Sequence, residues 1–367
     1  MATTRQSGFF IQSSAGNRGN FEVVISDVGD GRPKRKPLPA PPELIPRTGD
    51  MVVETFGGIA NSVFTDLTGS RPRDSDNLQP IVRENGDGLL HFYRDNDQDE
   101  PDKNWHGPTH FGSGDVRSAS LIQGNDNYLY VITRLYGSLV YYYTPLGLNG
   151  WVKGHAAFPQ DVDLTGNPAF LQSTYGTAGH FEVVAAKAGG GMVHYRLDND
   201  NPAADWVKVK DFGDGEMIEA VSMIQGNFGS PGSLELVARA GDTLTHYWYD
   251  GDWHKGGGPF ALGVDGEPSL IQSSFGSRGN FEVVVPRAAG GLVHYWRNND
   301  DPGLPWSDPT LISGSEGDDF WETSLIQSSY GVLEVVSRIR GYVRLAHFWG
   351  GGGSWTRTEN NLPQLGD

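Results

Sequence analysis

Hydrophobic and polar positions alternate in short runs along most of this chain. Phe21-Glu22-Val23-Val24, Phe181-Glu182-Val183-Val184 and Phe281-Glu282-Val283-Val284 each set one acidic residue among apolar ones. Gly291-Leu292-Val293-His294-Tyr295-Trp296 and its relatives end in a histidine followed by aromatics. These runs are rich in β-branched and aromatic side chains and bounded by Gly, Asn, Asp and Pro, which predicts short strands joined by tight turns. No segment carries a sustained helical period.

The runs recur. Gly8-Phe9-Phe10-Ile11-Gln12-Ser13-Ser14 followed by Gly19-Asn20-Phe21-Glu22-Val23-Val24 returns as Ser269-Leu270-Ile271-Gln272-Ser273-Ser274 followed by Gly279-Asn280-Phe281-Glu282-Val283-Val284. The same opening appears at Leu121-Ile122-Gln123, Phe170-Leu171-Gln172, Met223-Ile224-Gln225 and Leu325-Ile326-Gln327, with Ser62-Val63-Phe64-Thr65 as a worn copy, making seven. The last six openings lead to a second signature, at His91-Phe92-Tyr93-Arg94, Tyr141-Tyr142-Tyr143, His194-Tyr195-Arg196, His246-Tyr247-Trp248, His294-Tyr295-Trp296-Arg297 and His347-Phe348-Trp349. Each signature precedes a lone tryptophan: Trp105, Trp151, Trp206, Trp253, Trp306 or Trp355. Four strands in a unit of roughly 50 residues is the spacing of propeller blades. The chain is therefore expected to be all-β, a seven-bladed β-propeller of four-stranded antiparallel blades in one domain spanning 1–367. A ring of six blades with a separate N-terminal arm is the competing count, because residues 29–50 interrupt the first copy. That insertion carries six prolines between Pro33 and Pro46 beside Arg32, Lys34, Arg35 and Lys36. Its composition favours extended backbone. It either replaces the third strand of the first copy or laces its edge, or else serves as a proline-recognition ligand.

Composition narrows the function. The chain has 28 basic and 45 acidic residues, a formal charge of −17, which opposes nucleic acid and anionic membrane surfaces. With no cysteine, neither a disulfide framework nor a thiolate-bound metal can form. Neither a secretory signal nor an apolar run of membrane-spanning length is apparent, so cytoplasmic synthesis, with release by a non-classical route, is expected. Self-association of the ring is left open.

In a blade of four up-and-down strands, the turn between strands one and two shares a face with the turn between strands three and four. Those turns hold Ser-Ser-x-Gly segments and Asn-Asp-Pro segments, whereas the opposite turn is often only Ala-Gly-Gly, as at 289–291. The furnished face is the expected binding face. It brings aromatic rings beside small polar groups: Phe275, Tyr175 and Tyr330 in the first loop, Tyr93, Tyr143, Trp248, Trp296 and Trp349 at the end of the third strand, and Trp105, Trp206 and Trp306 after the second loop. Arg196 and Arg297 close their strands beside them, Arg297 directly after Trp296. Sugars present apolar C–H faces and a rim of hydroxyls, so an aromatic plate flanked by polar partners suits them. Propeller blades pack large aromatics against their neighbours, so each ring on its own is more readily a core residue and the reading attaches to the set of clefts.

The repeated Leu-Ile-Gln-Ser-Ser, Gly-Asn-Phe-Glu-Val-Val and His-Tyr-Trp-Arg elements resemble those of the bacterial seven-bladed propeller lectins first known from Photorhabdus, which are similar to the mushroom Psathyrella propeller lectin. The resemblance runs from about residue 8 to the end. It implies a multivalent lectin that binds glycans bearing L-fucose or O-methylated sugars in clefts between blades, without a cofactor or metal. The first copy departs from the family pattern in lacking the His-Tyr-Trp element. The third departs as well, with Leu129 in the place of the usual glutamate.

Catalysis is disfavoured by symmetry. Glu22, Glu182, Glu235, Glu282 and Glu334 recur at one strand position, whereas a glycosidase needs one asymmetric pair of carboxylates about 5–10 Å apart. Each is expected to be a partly buried anion matched by a base such as Arg239, Arg287 or Arg338, or else a hydroxyl acceptor at a cleft rim. The histidines of the second signature fall one per blade, which suits satisfied strand residues better than metal ligands. Asp95-Asn96-Asp97-Gln98-Asp99 opens like a calcium loop, but Glu100 replaces the glycine and His106 the glutamate that such a loop needs, so a solvated acidic turn is expected. No Gly-x-Ser-x-Gly, His-Glu-x-x-His or phosphate loop occurs.

Overall fold

A computed structural model describes residues 8–26, 88–95, 97, 105–313, 319–340 and 345–358, apart from 16, 115, 117, 118, 149, 161 and 352. These residues form six antiparallel sheets, each with its first strand innermost. Blade 1 is Phe10–Gln12, Phe21–Ser26, Leu89–Arg94 and Trp105–Phe111; blade 2 is Ser120–Gln123, Tyr128–Leu135, Ser138–Pro145 and Val152–Lys153. Blade 3 is Leu164–Gln172, Phe181–Lys187, Met192–Leu197 and Val207–Phe212. Blade 4 is Ile218–Gln225, Leu234–Ala240, Thr243–Tyr249 and Trp253–Lys255, with Ala261–Leu262 as an added strand. Blade 5 is Ser269–Gln272, Phe281–Pro286, Leu292–Arg297 and Thr310–Ser313; blade 6 is Phe320–Gln327, Leu333–Ile339, Leu345–Gly351 and Ser354–Arg357.

The ring therefore has six blades, and the expectation of seven is overturned. Phe21–Ser26 pairs directly with Leu89–Arg94, Glu22 opposite Tyr93. The opening at 8–24 and the signature at 91–94 thus belong to one blade rather than two. The first copy had not lost its signature; a long insertion separates the two halves. Nor does the first opening form a separate N-terminal arm, since Phe10–Gln12 is the inner strand of blade 1. The Pro-rich stretch 29–50 and the worn opening at Ser62–Thr65 lie outside the described residues.

Apolar residues on both parities of the second strand are explained by the packing. Each of six core clusters joins two neighbouring blades, and the pair made by blades 1 and 6 closes the ring. Adjacent strand residues point to opposite faces, so Val183 packs against blade 2 while Val184 packs against blade 4. Both faces of a blade are covered, and Phe-Glu-Val-Val reads as nearly continuous hydrophobicity for that reason.

The repeated glutamine is the clasp between blades. Its side-chain oxygen accepts the backbone N–H of a residue in the preceding blade at all six junctions: Gln123 from Ser14 (2.6 Å), Gln172 from Asn125 (2.8 Å), Gln225 from Thr174 (2.8 Å), Gln272 from Asn227 (3.1 Å), Gln327 from Ser274 (2.7 Å) and Gln12 from Ser329 (2.8 Å). The last of these spans 317 residues of sequence. In blades 1, 3 and 5 the amide nitrogen also donates to carbonyls of its own first loop. That loop turns at Gly19, Gly179 and Gly279, all with positive φ, where a Cβ would strike the carbonyl oxygen of Ser13, Ser173 or Ser273.

Candidate binding site: the clefts between blades

The face of each blade that carries the recurring glutamate looks toward the next blade. In five blades the glutamate is buried and bonded to the histidine of the third strand: Glu22 to His91 (2.9 Å), Glu182 to His194 (2.7 Å), Glu235 to His246 (2.7 Å), Glu282 to His294 (2.8 Å) and Glu334 to His347 (2.6 Å). The other carboxylate oxygen accepts a serine hydroxyl, from Ser13, Ser173, Ser233, Ser273 or Ser328. This corrects the expected pairing with Arg239, Arg287 and Arg338. Arg239 meets Glu219 and Arg338 meets Glu322, while a strand histidine is the glutamate's partner. A buried carboxylate needs its lone pairs met, and a serine on the loop with a histidine two registers away supplies that.

In blade 3 the ring nitrogen left over on the histidine faces the next blade. Trp253 of blade 4 donates its indole N–H to Nδ1 of His194 at 3.3 Å. Indole can only donate, so Nδ1 is the acceptor and Nε2 carries the proton given to Glu182. The same edge-on meeting of lone tryptophan and histidine recurs as Trp151 with His91 (5.4 Å between centroids), Trp306 with His246 (6.1 Å) and Trp355 with His294 (5.6 Å). These tryptophans also stack on phenylalanines: Trp151 on Phe111, Trp253 on Phe212, and Trp306 on Phe260 at 3.9 Å and 9°. They are the pillars between blades.

This placement divides the candidate residues into three groups. Tyr93, Arg196, Trp248, Trp296 and Trp349 occupy one equivalent position, directly opposite the glutamate in the strand register. Trp296 and Trp349 are 36% and 42% exposed, whereas Tyr93 lies on His106 and Trp248 on His254. Tyr175, Phe275 and Tyr330 sit in the first loop, Tyr330 well exposed and the other two half-buried. Trp206 and Trp306 are pillars. Trp206 is 2% exposed and lies face to face on Phe158 at 4.3 Å, so it has no free face for a ligand, contrary to expectation. The Trp105 side chain is outside the described structure. Arg297 is also displaced from its expected role beside Trp296. Consecutive strand residues face opposite ways, so Arg297 turns toward blade 4 and lies over Phe281 at 4.0 Å, 5% exposed, with Nε donating to Asn299. Burial lowers the pKa of its guanidinium.

The cleft between blades 3 and 4 combines charge with an open cavity. A cavity of about 340 Å³ is lined by Tyr175 and Arg196 on one side and by the loop Phe228–Ser233 and Tyr249 on the other. Arg196 donates Nε to both oxygens of Glu182 at 2.8 and 3.1 Å, and its guanidinium lies 5.3 Å from the Tyr175 ring centre. Burial pulls the pKa of Arg196 down, but Glu182 and Tyr249 together outweigh it and the net direction is upward. Tyr175 donates its hydroxyl to the Gly232 carbonyl across the junction (2.9 Å), and burial, then the charge of Glu182, pushes its pKa up to about 12. A fixed cation, a neutral phenol and a flat ring thus face one opening. Tyr249, Phe228 and the 229–233 segment were not foreseen, because the Gly-Asn-Phe-Gly-Ser-Pro-Gly loop of blade 4 departs from the repeat; the tyrosine directly after Trp248 was the available signal.

The cleft between blades 2 and 3 also holds a cavity, of about 410 Å³. Gln123 pairs with Leu129 as Gln172 pairs with Phe181, so Leu129 stands at the phenylalanine position and Tyr130 at the glutamate position. The assignment of Leu129 to the glutamate's place is thereby corrected. By the same register Tyr141 replaces the histidine and Tyr143 the arginine or tryptophan. The Tyr130 hydroxyl donates to Asp126 at 2.5 Å, and burial, followed by that bond, raises its pKa.

The acidic turns are structural. Both oxygens of Asp97 accept backbone N–H groups, of Asn17 and Arg18. Asp200 does the same for Thr177 and Ala178, and Asp300 for Ser277 and Arg278. The two loops of the furnished face are laced together by these bonds. Among the described residues, His180, Asp198 and Asp200 come close enough to share an ion, but Asp200 is already engaged by backbone.

No protein-family model matches this sequence, and no curated protein matches it. Several solved structures share its fold. They include a fungal lectin from Aleuria aurantia, a six-bladed β-propeller with a described mode of fucose recognition (15% identity over 80% of this chain and 88% of that one, TM-score 0.53). SapL1 lectin in complex with alpha methyl fucoside is similar at 15% identity over 76% and 90% of the two chains, TM-score 0.51. A protein of unknown function from Dyadobacter fermentans is similar at 10% identity over 97% and 93%, TM-score 0.50. At these identities the likeness is one of fold, and it is a six-bladed ring rather than a seven-bladed one that is matched.

Proposed function

We propose that this protein is a multivalent, non-enzymatic lectin that takes fucosylated or O-methylated glycans in the clefts between blades. The observation that carries this reading is the cleft between blades 3 and 4, where Arg196 is fixed by a buried carboxylate beside Tyr175 and Tyr249 in an open cavity. A guanidinium held in place donates several hydrogen bonds to vicinal hydroxyls or a ring oxygen, and the tyrosine offers a face to C–H groups. The exposed Trp296 and Trp349, at the equivalent position of blades 5 and 6, offer larger faces with no cation. Two fold neighbours whose structures or descriptions involve fucose or a fucoside support the sugar class. A glycosidase is disfavoured because each of the five recurring glutamates is buried and bonded to serine and histidine, so none is placed as one of a reacting pair.

Titration calorimetry of the full chain with methyl α-L-fucoside tests the reading. More than one equivalent per chain is expected, each weak, and an immobilised fucosylated surface should be bound about a hundred-fold or more tighter than the free sugar. A protein-binding scaffold would give no heat with the sugar and a blank glycan array.

A further inference from the structure

The cleft between blades 2 and 3 is built for a different ligand. Its three characteristic residues, Glu, His and Arg, Trp or Tyr in other blades, are all tyrosine. Tyr130 and Tyr143 lie 6.0 Å apart between ring centres, Tyr128 lies 6.3 and 6.0 Å from each, and Tyr141 lies 6.5 Å from Tyr143. Phe181 of blade 3 meets Tyr130 edge-on at 4.7 Å. A group above the triangle of Tyr128, Tyr130 and Tyr143 is within the reach of about 6 Å over which aromatic rings attract a cation. The polar lining has the matching sign. Asp126 and Asp198 stand at the cavity, Asp198 with one oxygen 3.3 Å from Nδ1 of His180; among the described residues no lysine or arginine lines it, and besides the tyrosines the remaining titratable side chain there is His155. The Asp126 carboxylate is held at the rim by the Tyr130 hydroxyl and the Tyr128 N–H, and Asp198 is half exposed.

We infer that this cleft binds a quaternary ammonium group of the choline type. The ring quadrupoles and the two carboxylates favour a cation, and a trimethylammonium head is the cation with the lowest desolvation cost and the best fit to aromatic faces. A primary ammonium is more strongly hydrated, and an anionic group is repelled by Asp126 and Asp198. The volume of about 410 Å³ is in the range of small-molecule sites. This inference does not depend on the sugar reading, because the cleft lacks the residues on which that reading rests.

The test uses the full chain with choline chloride and its neutral carbon isostere 3,3-dimethyl-1-butanol, followed by ligand-observed NMR and calorimetry. Saturable choline binding is expected at one equivalent per chain, with the isostere at least ten-fold weaker. Asp198→Asn, at an exposed carboxylate, should weaken choline several-fold, and Tyr143→Ala should abolish it, while Arg196→Ala leaves it unchanged. Equal binding of the isostere would reduce the cleft to an apolar pocket and overturn the inference. So would absence of saturation, loss of choline binding in Arg196→Ala with none in Asp198→Asn, or displacement of choline by methyl α-L-fucoside. If Tyr143→Ala does not fold, Asp198→Asn and the isostere still decide.

Discussion

The clefts on the two sides of blade 3 occupy equivalent places in the ring and present opposite chemistry. On the side of blade 4, Glu182, His194 and Arg196 form a hydrogen-bonded row, the first two fully buried and Arg196 reaching the opening, with Trp253 against His194. On the side of blade 2, the same three positions of that blade are Tyr130, Tyr141 and Tyr143, and Trp206 replaces Trp253 as the pillar, meeting Tyr141 at 6.2 Å. The backbone register, the clasping glutamine and the stacked tryptophan are retained in both. Junction architecture and cleft chemistry are therefore separable: one set of residues closes the ring, and another decides what the opening receives.

The pillars are where that separation can be broken most severely. Trp206→Ala removes a buried indole from the junction of blades 2 and 3 and should cost about 3–5 kcal/mol, seen as a lower denaturant midpoint. Trp296→Ala, on the exposed position of blade 5, should cost under about 1 kcal/mol and act on ligand binding instead. Equal losses of stability from the two would mean that exposure is a poor guide to role in this ring.

A smaller effect is expected from Arg196→Ala. His194 and Ser173 still bond Glu182 in that variant, so the fold is kept. Sugar affinity at the cleft of blades 3 and 4 should fall at least ten-fold, about 1.4 kcal/mol, with one equivalent lost from the calorimetric stoichiometry and the others unaltered. An unchanged stoichiometry would move the sugar site away from Arg196.

The smallest effect concerns the wall of the tyrosine cleft. The turn 198–202 supplies that wall and is tied to the first loop by Asp200, whose pKa is held below the ordinary carboxylate value by the N–H groups of Thr177 and Ala178. Because its pKa is depressed in the folded state, its contribution is full above the unfolded value of about 4 and is lost as pH falls through the lower folded value. Amide protection factors at Thr177 and Ala178 should drop across that window, and Asp200→Asn should show the reduced protection already at neutral pH. Protection that is independent of both would leave the lacing without a role in the wall.

The amino-acid sequence determined the strand composition, the repeat unit and the furnished face, because alternation, Gly and Asx turns and repeated motifs act over a few residues. Gln12 and its five equivalents were visible as a motif, yet their role was not, since each bonds to a different blade. The blade count needed the tertiary structure. Only the pairing of Phe21–Ser26 with Leu89–Arg94 across the intervening insertion shows that the first opening and the first signature are one blade. Register likewise decided which neighbour each side chain faces. Trp296 and Arg297 are adjacent in the chain and separated by a sheet, and a one-residue displacement moves Leu129 out of the glutamate's place and puts Tyr130 in it. A β-strand has a period of two, so such assignments follow from pairing partners and not from the order of residues.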